Sequence, residues 1–168
     1  MATQRIEGRR VAMLATDGFE YSELTEPKRL LEEAGAGVDV LAPGGSRAGT
    51  CASGATGWTW TGRTLGEVDA AGYDALVLPG GVITPDKLRT QPEAVALVQA
   101  FARAGKPIAA ICHGPWPRTS WGSLRRDLEN AGAHWEDREV VGDGQLITSR
   151  KPDDIPAFAQ AVIEALAA

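Results

Sequence analysis

Four short apolar runs, each stopped by a glycine-containing turn, constrain the fold more than any other feature of this sequence. Residues 10–16 run into Asp17-Gly18, and residues 38–42 into Pro43-Gly44-Gly45. Residues 74–78 end at Pro79-Gly80-Gly81, and residues 107–111 at Cys112-His113-Gly114. Runs this short and this continuously apolar read as strands buried on both faces. The stretches between them carry helical spacing. Leu24, Leu30, Leu31 and Ala34 form a stripe within residues 22–35, where Pro27 is expected to limit the first turns or kink them. Val95, Leu97, Val98 and Phe101 do the same in residues 92–104, and further helices are expected over 123–131 and 152–167. Residues 58–63 and 139–149, the latter turning across Gly142-Asp143-Gly144, read as hairpins, and residues 44–57 as a mobile loop. Strands alternating with helices imply an α/β domain with a largely parallel sheet.

The 168 residues suit a single domain spanning 1–168. With 17 Lys+Arg against 22 Asp+Glu, the net charge of −5 argues against a non-specific nucleic-acid binder, which needs a basic face. Cys51 and Cys112 are too few for a disulfide framework, and His113 and His134 too few for a zinc site of standard spacing. No dinucleotide or phosphate-binding glycine pattern occurs, so neither a cofactor nor a metal is expected. The polar first ten residues and the lack of a long apolar run give the expectation of a soluble, cytoplasmic chain with no membrane partner.

Ligands of open α/β sheets bind beyond the carboxyl ends of the strands, which is where the unusual residues of this chain gather. Ala110-Ile111-Cys112-His113-Gly114 has the shape of a nucleophile elbow, with Cys as the nucleophile and Ala for the first Gly. A buried, inert cysteine is the competing reading. His113 follows directly and could polarise the thiol, because the chain turns between the two. Cys51, in a loop without charged neighbours, and His134 read as ordinary residues. Gly80 and Gly81 offer amides for an oxyanion hole. Glu20, just past the first strand, could lean over the sheet, provided its carboxyl holds a proton while the sulfur is ionised.

These strand ends resemble the PfpI family, a branch of the superfamily of the parkinsonism-associated deglycase. The matching stretches include residues 15–20, 23–27, 73–81 and 105–116, then Thr119-Ser120-Trp121, Asn130-Ala131-Gly132 and residues 148–154. The resemblance implies a flavodoxin-like three-layer sandwich of the class I glutamine amidotransferase type. It also implies a nucleophilic Cys112, a partner His113, an acid at Glu20 bonded to the sulfur, and an oxyanion hole at Gly80 and Gly81. Asp86 occupies the place from which some members complete a neighbouring subunit's site, which implies a homodimer or larger homo-oligomer. Peptidase, glyoxalase III and deglycase activities are reported in the family.

One departure concerns the elbow. Relatives carry about a dozen more residues between Gly-Pro-Trp and Thr-Ser-Trp, forming a helix behind the nucleophile, whereas residues 116–119 bridge the gap here. A helix N-terminus depresses a cysteine pKa, so activation of Cys112 is expected to be weaker. The first reading is a cofactor-free cysteine enzyme acting on small carbonyl compounds. A peptidase or amidase acting on peptides through the same residues is the second, and a non-catalytic redox-sensing stress protein the third.

Overall fold

The computed structural model describes residues 5–45, 47–48, 60–61, 63–114 and 119–168. The four expected strands are present as β1 (Arg10–Leu14), β2 (Gly37–Ala42), β6 (Ala75–Leu78) and β7 (Ile108–Ile111). Two-residue strands β3 (Arg47–Ala48), β4 (Trp60–Thr61) and β5 (Arg63–Thr64) precede β6, and β8 (Val140–Asp143) and β9 (Leu146–Ser149) follow β7. Seven of them form one sheet in the order β5-β2-β1-β6-β7-β9-β8. Every pairing in it is parallel except β8 with β9.

The layers follow from the alternation of side chains along the central strands. Val11, Met13 and Ala15 of β1 and its end point to one face, with Val77 and Ile111, and are covered by α1 (Tyr21–Glu33) and α5 (Ile155–Ala167). Ala12 and Leu14 point to the other, with Leu76 and Ile108, under Leu97 and Phe101 of α3 (Pro92–Arg103). Phe101 and Phe158 are fully buried, one in each layer. This is an α/β three-layer, flavodoxin-like arrangement.

Three expectations need correction. Helix α1 runs uninterrupted through Pro27, which is buried against the core; the ring removes only the amide that would have bonded the Glu23 carbonyl. The 58–63 hairpin does not form as such: β4 pairs antiparallel with β3, while β5 joins the edge of the main sheet beside β2. The turn of the C-terminal hairpin falls at Gly144-Gln145, because Gly142 and Asp143 still pair with Ile147 and Leu146. Two short helices, α2 (Ile83–Leu88) and α4 (Arg125–Asn130), complete the set; α2 was too short to leave a periodic signal. Most of the 44–57 loop, Cys51 included, lies outside the described residues, as do residues 116–118 of the bridge at 116–119. Among the described residues no helix is long and apolar enough to cross a membrane.

Candidate active site at the cysteine elbow

Strand β1 pairs with β2 on one side and β6 on the other, so the chain reverses its direction of travel across the sheet there. A crevice opens at such a switch point. Glu23 reaches it from α1 after β1, Gly80 and Gly81 from the turn after β6, and Cys112 from the end of β7.

Cys112 has φ +62°, and among the described residues it is the one non-glycine in the left-handed region. Such strain costs about 1–3 kcal/mol and must be held by its surroundings. Here the Cys112 amide donates to the Ser149 carbonyl (3.1 Å) and its carbonyl accepts from the Trp121 amide (3.0 Å). The Gly114 amide closes the turn onto the Ile111 carbonyl (2.9 Å). The elbow expected from residues 110–114 is therefore present, with its thiol buried.

The carboxyl group that meets the sulfur belongs to Glu23, not to Glu20. Glu20 sits in extended backbone at the start of α1, half-buried, its side chain accepting from the Ser22 hydroxyl (3.3 Å). Its amide donates to the Gly80 carbonyl (3.2 Å), so it braces the turn with its backbone instead. Glu23, one helical turn further, faces inward with no exposed surface. It hydrogen-bonds with Cys112, and Oε2 accepts from the Gly80 amide (3.0 Å). Oε1 has no well-formed partner, which a proton on that oxygen would remedy by making it a donor toward the sulfur.

Gly80 is corrected in the same way. Its amide is engaged by Glu23 and is not free for an oxyanion. The backbone amides that reach the sulfur are those of Gly81 and His113. Both glycines are sterically required. A Cβ on Gly80 would lie 2.5 Å from Glu23 Oε2 and 2.7 Å from Cys112 Cβ, and one on Gly81, at φ +95°, 2.4 Å from the Gly18 carbonyl oxygen.

Burial pushes the Glu23 carboxyl up to about 7, despite its bonds to Cys112 and Gly80. Burial, then the Glu23 charge, pushes the Cys112 thiol up to about 12, against the pull of the Gly81 and His113 amides. The two groups repel as anions and behave as a coupled pair: it loses one proton near 7 and holds the other far into the alkaline range. Burial also lowers the His113 pKa, leaving its ring neutral at pH 7. His113 Nδ1 is 3.2 Å from Cys112 Sγ. His134 is exposed.

Asp86, on α2, is exposed and lines an open cavity of about 250 Å³ together with Val82, Ile83, Arg89, Leu124 and His113 of the same chain. Among the described residues no three His, Cys, Asp or Glu side chains gather in a way that could hold a metal.

A doubly wound α/β sheet with a strained cysteine at a strand end, facing a buried carboxyl group across a Gly-Gly turn, defines a cysteine-elbow protein. The chain belongs to the DJ-1/PfpI family, whose profile matches residues 9–165. It is 39% identical over 165 residues to General stress protein 18 of Bacillus subtilis (strain 168), covering 90% of this chain and 94% of that one. Protein/nucleic acid deglycase 2 of Escherichia coli (strain K12) is 38% identical over 174 aligned positions, 95% of this chain and 99% of that protein. Since 95% of 168 residues is about 160, about 14 of those positions have no residue here. The crystal structure of Drosophila melanogaster DJ-1beta superposes with a TM-score of 0.84 at 28% identity, covering 95% of this chain and 90% of that one.

Proposed function

We propose that this protein is a cofactor-free cysteine enzyme that protects against reactive carbonyl compounds, by glyoxalase III or deglycase chemistry. The observation that carries the reading is the fully buried Glu23 carboxyl facing Cys112 inside a strained elbow. A proton moved from sulfur to carboxylate leaves a thiolate facing a neutral donor, which is the reactive arrangement. The names of relatives as a deglycase and a general stress protein support the same reading.

In this mechanism the sulfur attacks an aldehyde carbon, the C–S bond forms, and the carbonyl pair moves to oxygen. The oxyanion forms next to the Gly81 and His113 amides, and the one proton taken up by Glu23 passes by way of His113 to that oxygen to give a hemithioacetal. The neutral charge state of His113 at pH 7 suits it to accept and release protons. Asp86 lines the same cavity, and in this reading it contacts the substrate or serves the site of a second copy of the chain.

The test is conversion of methylglyoxal to lactate by the purified protein, followed over many turnovers. Steady conversion by the wild type that is lost in Cys112→Ala is expected. Cleavage of peptides without any methylglyoxal turnover would overturn the carbonyl reading in favour of a peptidase using the same residues.

A further inference from the structure

Helix α2 starts with two β-branched apolar side chains turned to solvent. Val82, at its N-cap, is 67% exposed and Ile83 is 49% exposed. With Val95 and Trp121 they are the large apolar side chains left exposed among the described residues. Val82 and Ile83 line the cavity that His113 also lines, and Trp121 stacks on the His113 ring with centroids 6.0 Å apart. Exposed apolar surface gathered in one place marks a binding site.

The rim is fixed in position. Thr84, with no exposed surface, donates through its hydroxyl to the Thr16 carbonyl (2.7 Å), with the Asp17 carbonyl at 3.2 Å, which pins the start of α2 to the end of β1. Gly18 leaves the room that Ile83 occupies: a Cβ there would lie 2.5 Å from Ile83 Cβ. Leu124 joins the lining from the short turn Gly122–Leu124, which the bond from the Trp121 amide to the Cys112 carbonyl ties to the elbow. The charges in the cavity do not select an ionic ligand. Asp86 on α2 and Arg89 just after it are opposite in sign, and the His113 ring is neutral at pH 7. Discrimination is left to the apolar walls.

We propose that Val82, Ile83 and Leu124 form an apolar subsite beside the elbow, which takes up an aryl or branched alkyl group next to the carbon that Cys112 attacks. The inference rests on the reading of Cys112 as the nucleophile, and with the carbonyl reading it makes aryl and branched alkyl oxoaldehydes the substrates. His113 joins the two regions, since its ring lines the cavity and its Nδ1 lies 3.2 Å from the Cys112 sulfur. A cavity of about 250 Å³ offers more room than methylglyoxal fills. Each methylene taken out of water is worth about fourfold in affinity, so a ring that buries about two more such units than a methyl group gains roughly tenfold.

The experiment uses the full chain in a Cys51→Ser background and compares N-phenylmaleimide with N-methylmaleimide as electrophiles for Cys112. Each rate is divided by that of glutathione, which removes the intrinsic reactivity of the reagent. The wild type is expected to favour the phenyl reagent roughly tenfold, and the preference to fall about three- to tenfold in Ile83→Ser and in Val82→Ser. Val95→Ser, an exposed position on α3 outside this cavity, should keep it. Val82 is exposed enough that its replacement should leave the urea midpoint in place, so folding does not decide the result. A wild-type ratio near one, or a ratio unchanged in both variants, would overturn the proposal. So would variants that break up an oligomer in sedimentation without moving the ratio, because the rim would then be a contact between copies. If phenylglyoxal and methylglyoxal are both turned over, kcat/KM for the first relative to the second should drop by a like factor in the variants, and an unmoved ratio would overturn the proposal. The maleimide readout needs no turnover. A phenyl preference lost in the variants of a protein inert toward both oxoaldehydes would uphold the subsite and refute the carbonyl reading alone.

Discussion

Replacing Glu23 by Gln should make the protein more stable and less active, and the size of the gain should depend on pH. The Glu23 carboxyl, ordinarily near 4.5, is pushed up to about 7 by burial. Between those values the folded state holds a proton that the unfolded chain has released, so stability falls as pH rises through the window. Above it the full cost remains, about 3 kcal/mol for a shift of this size. A glutamine is neutral throughout. Its Oε1 can still accept from the Gly80 amide, and its NH2 can face the sulfur, so packing is kept. Differences of packing between the two proteins do not vary with pH and cancel. The stability gap, variant over wild type, should therefore widen by about 2–3 kcal/mol between pH 5 and pH 8. Urea unfolding of both proteins at fixed ionic strength measures it, with equal m-values as the check on two-state comparison. The range stops at pH 8 so that the thiol, held up to about 12 in the folded state, stays protonated. A gap that is the same at pH 5 and pH 8 would refute the assignment of Glu23 as a buried carboxyl that keeps its proton to neutrality.

The same substitution should lower the pH at which Cys112 ionises by about one unit or more, since it removes the neighbouring negative charge and supplies a donor. Thiolate absorbance at 240 nm in the Cys51→Ser background checks this, and an unchanged or higher midpoint would contradict the pairing. Gly80→Ala should destabilise the protein by about 1–3 kcal/mol, because the added Cβ meets Glu23, Cys112 and the Ile111 carbonyl at 2.5–2.7 Å. Gly122→Ala, with nothing within 4 Å of its Cβ, should stay within about 0.5 kcal/mol in the same urea assay.

The central strands were legible in the sequence because parallel strands buried on both faces leave uninterrupted apolar runs, as Ala75–Leu78 and Ile108–Ile111 do. The elbow was legible for a related reason. Cys-His-Gly cannot continue a buried strand, and the chain resolves the conflict with a left-handed cysteine. Edge elements were less legible, since their pairing depends on partners far along the chain. Residues 60–61 pair with 47–48 and not with 63–64, and nothing in the local pattern decides between them. The walls of the cavity beside His113 were not legible either. Leu124 reaches it only because the turn at Gly122–Leu124 is anchored to the elbow through Trp121.

The displacement of the acid from Glu20 to Glu23 has a geometric cause that the sequence does contain. Glu20 follows the first strand more closely, and proximity along the chain suggested it. A helix, however, sorts residues by angle, and positions 23, 27 and 31 stand one above the other on one face. Pro27 and Leu31 on that face are buried, so the carboxyl at 23 must be buried with them. A charged residue on the inward stripe of a helix is the anomaly that marks a site, because it is costly unless a partner receives it. Here the partners are one amide and one thiol, and together they leave the carboxyl short of a full set of bonds while it is ionised. Burial, only partly offset by those bonds, is what raises the Glu23 pKa toward neutrality. It also ties the function of the elbow to a carboxyl group that the fold would hold more comfortably as an amide.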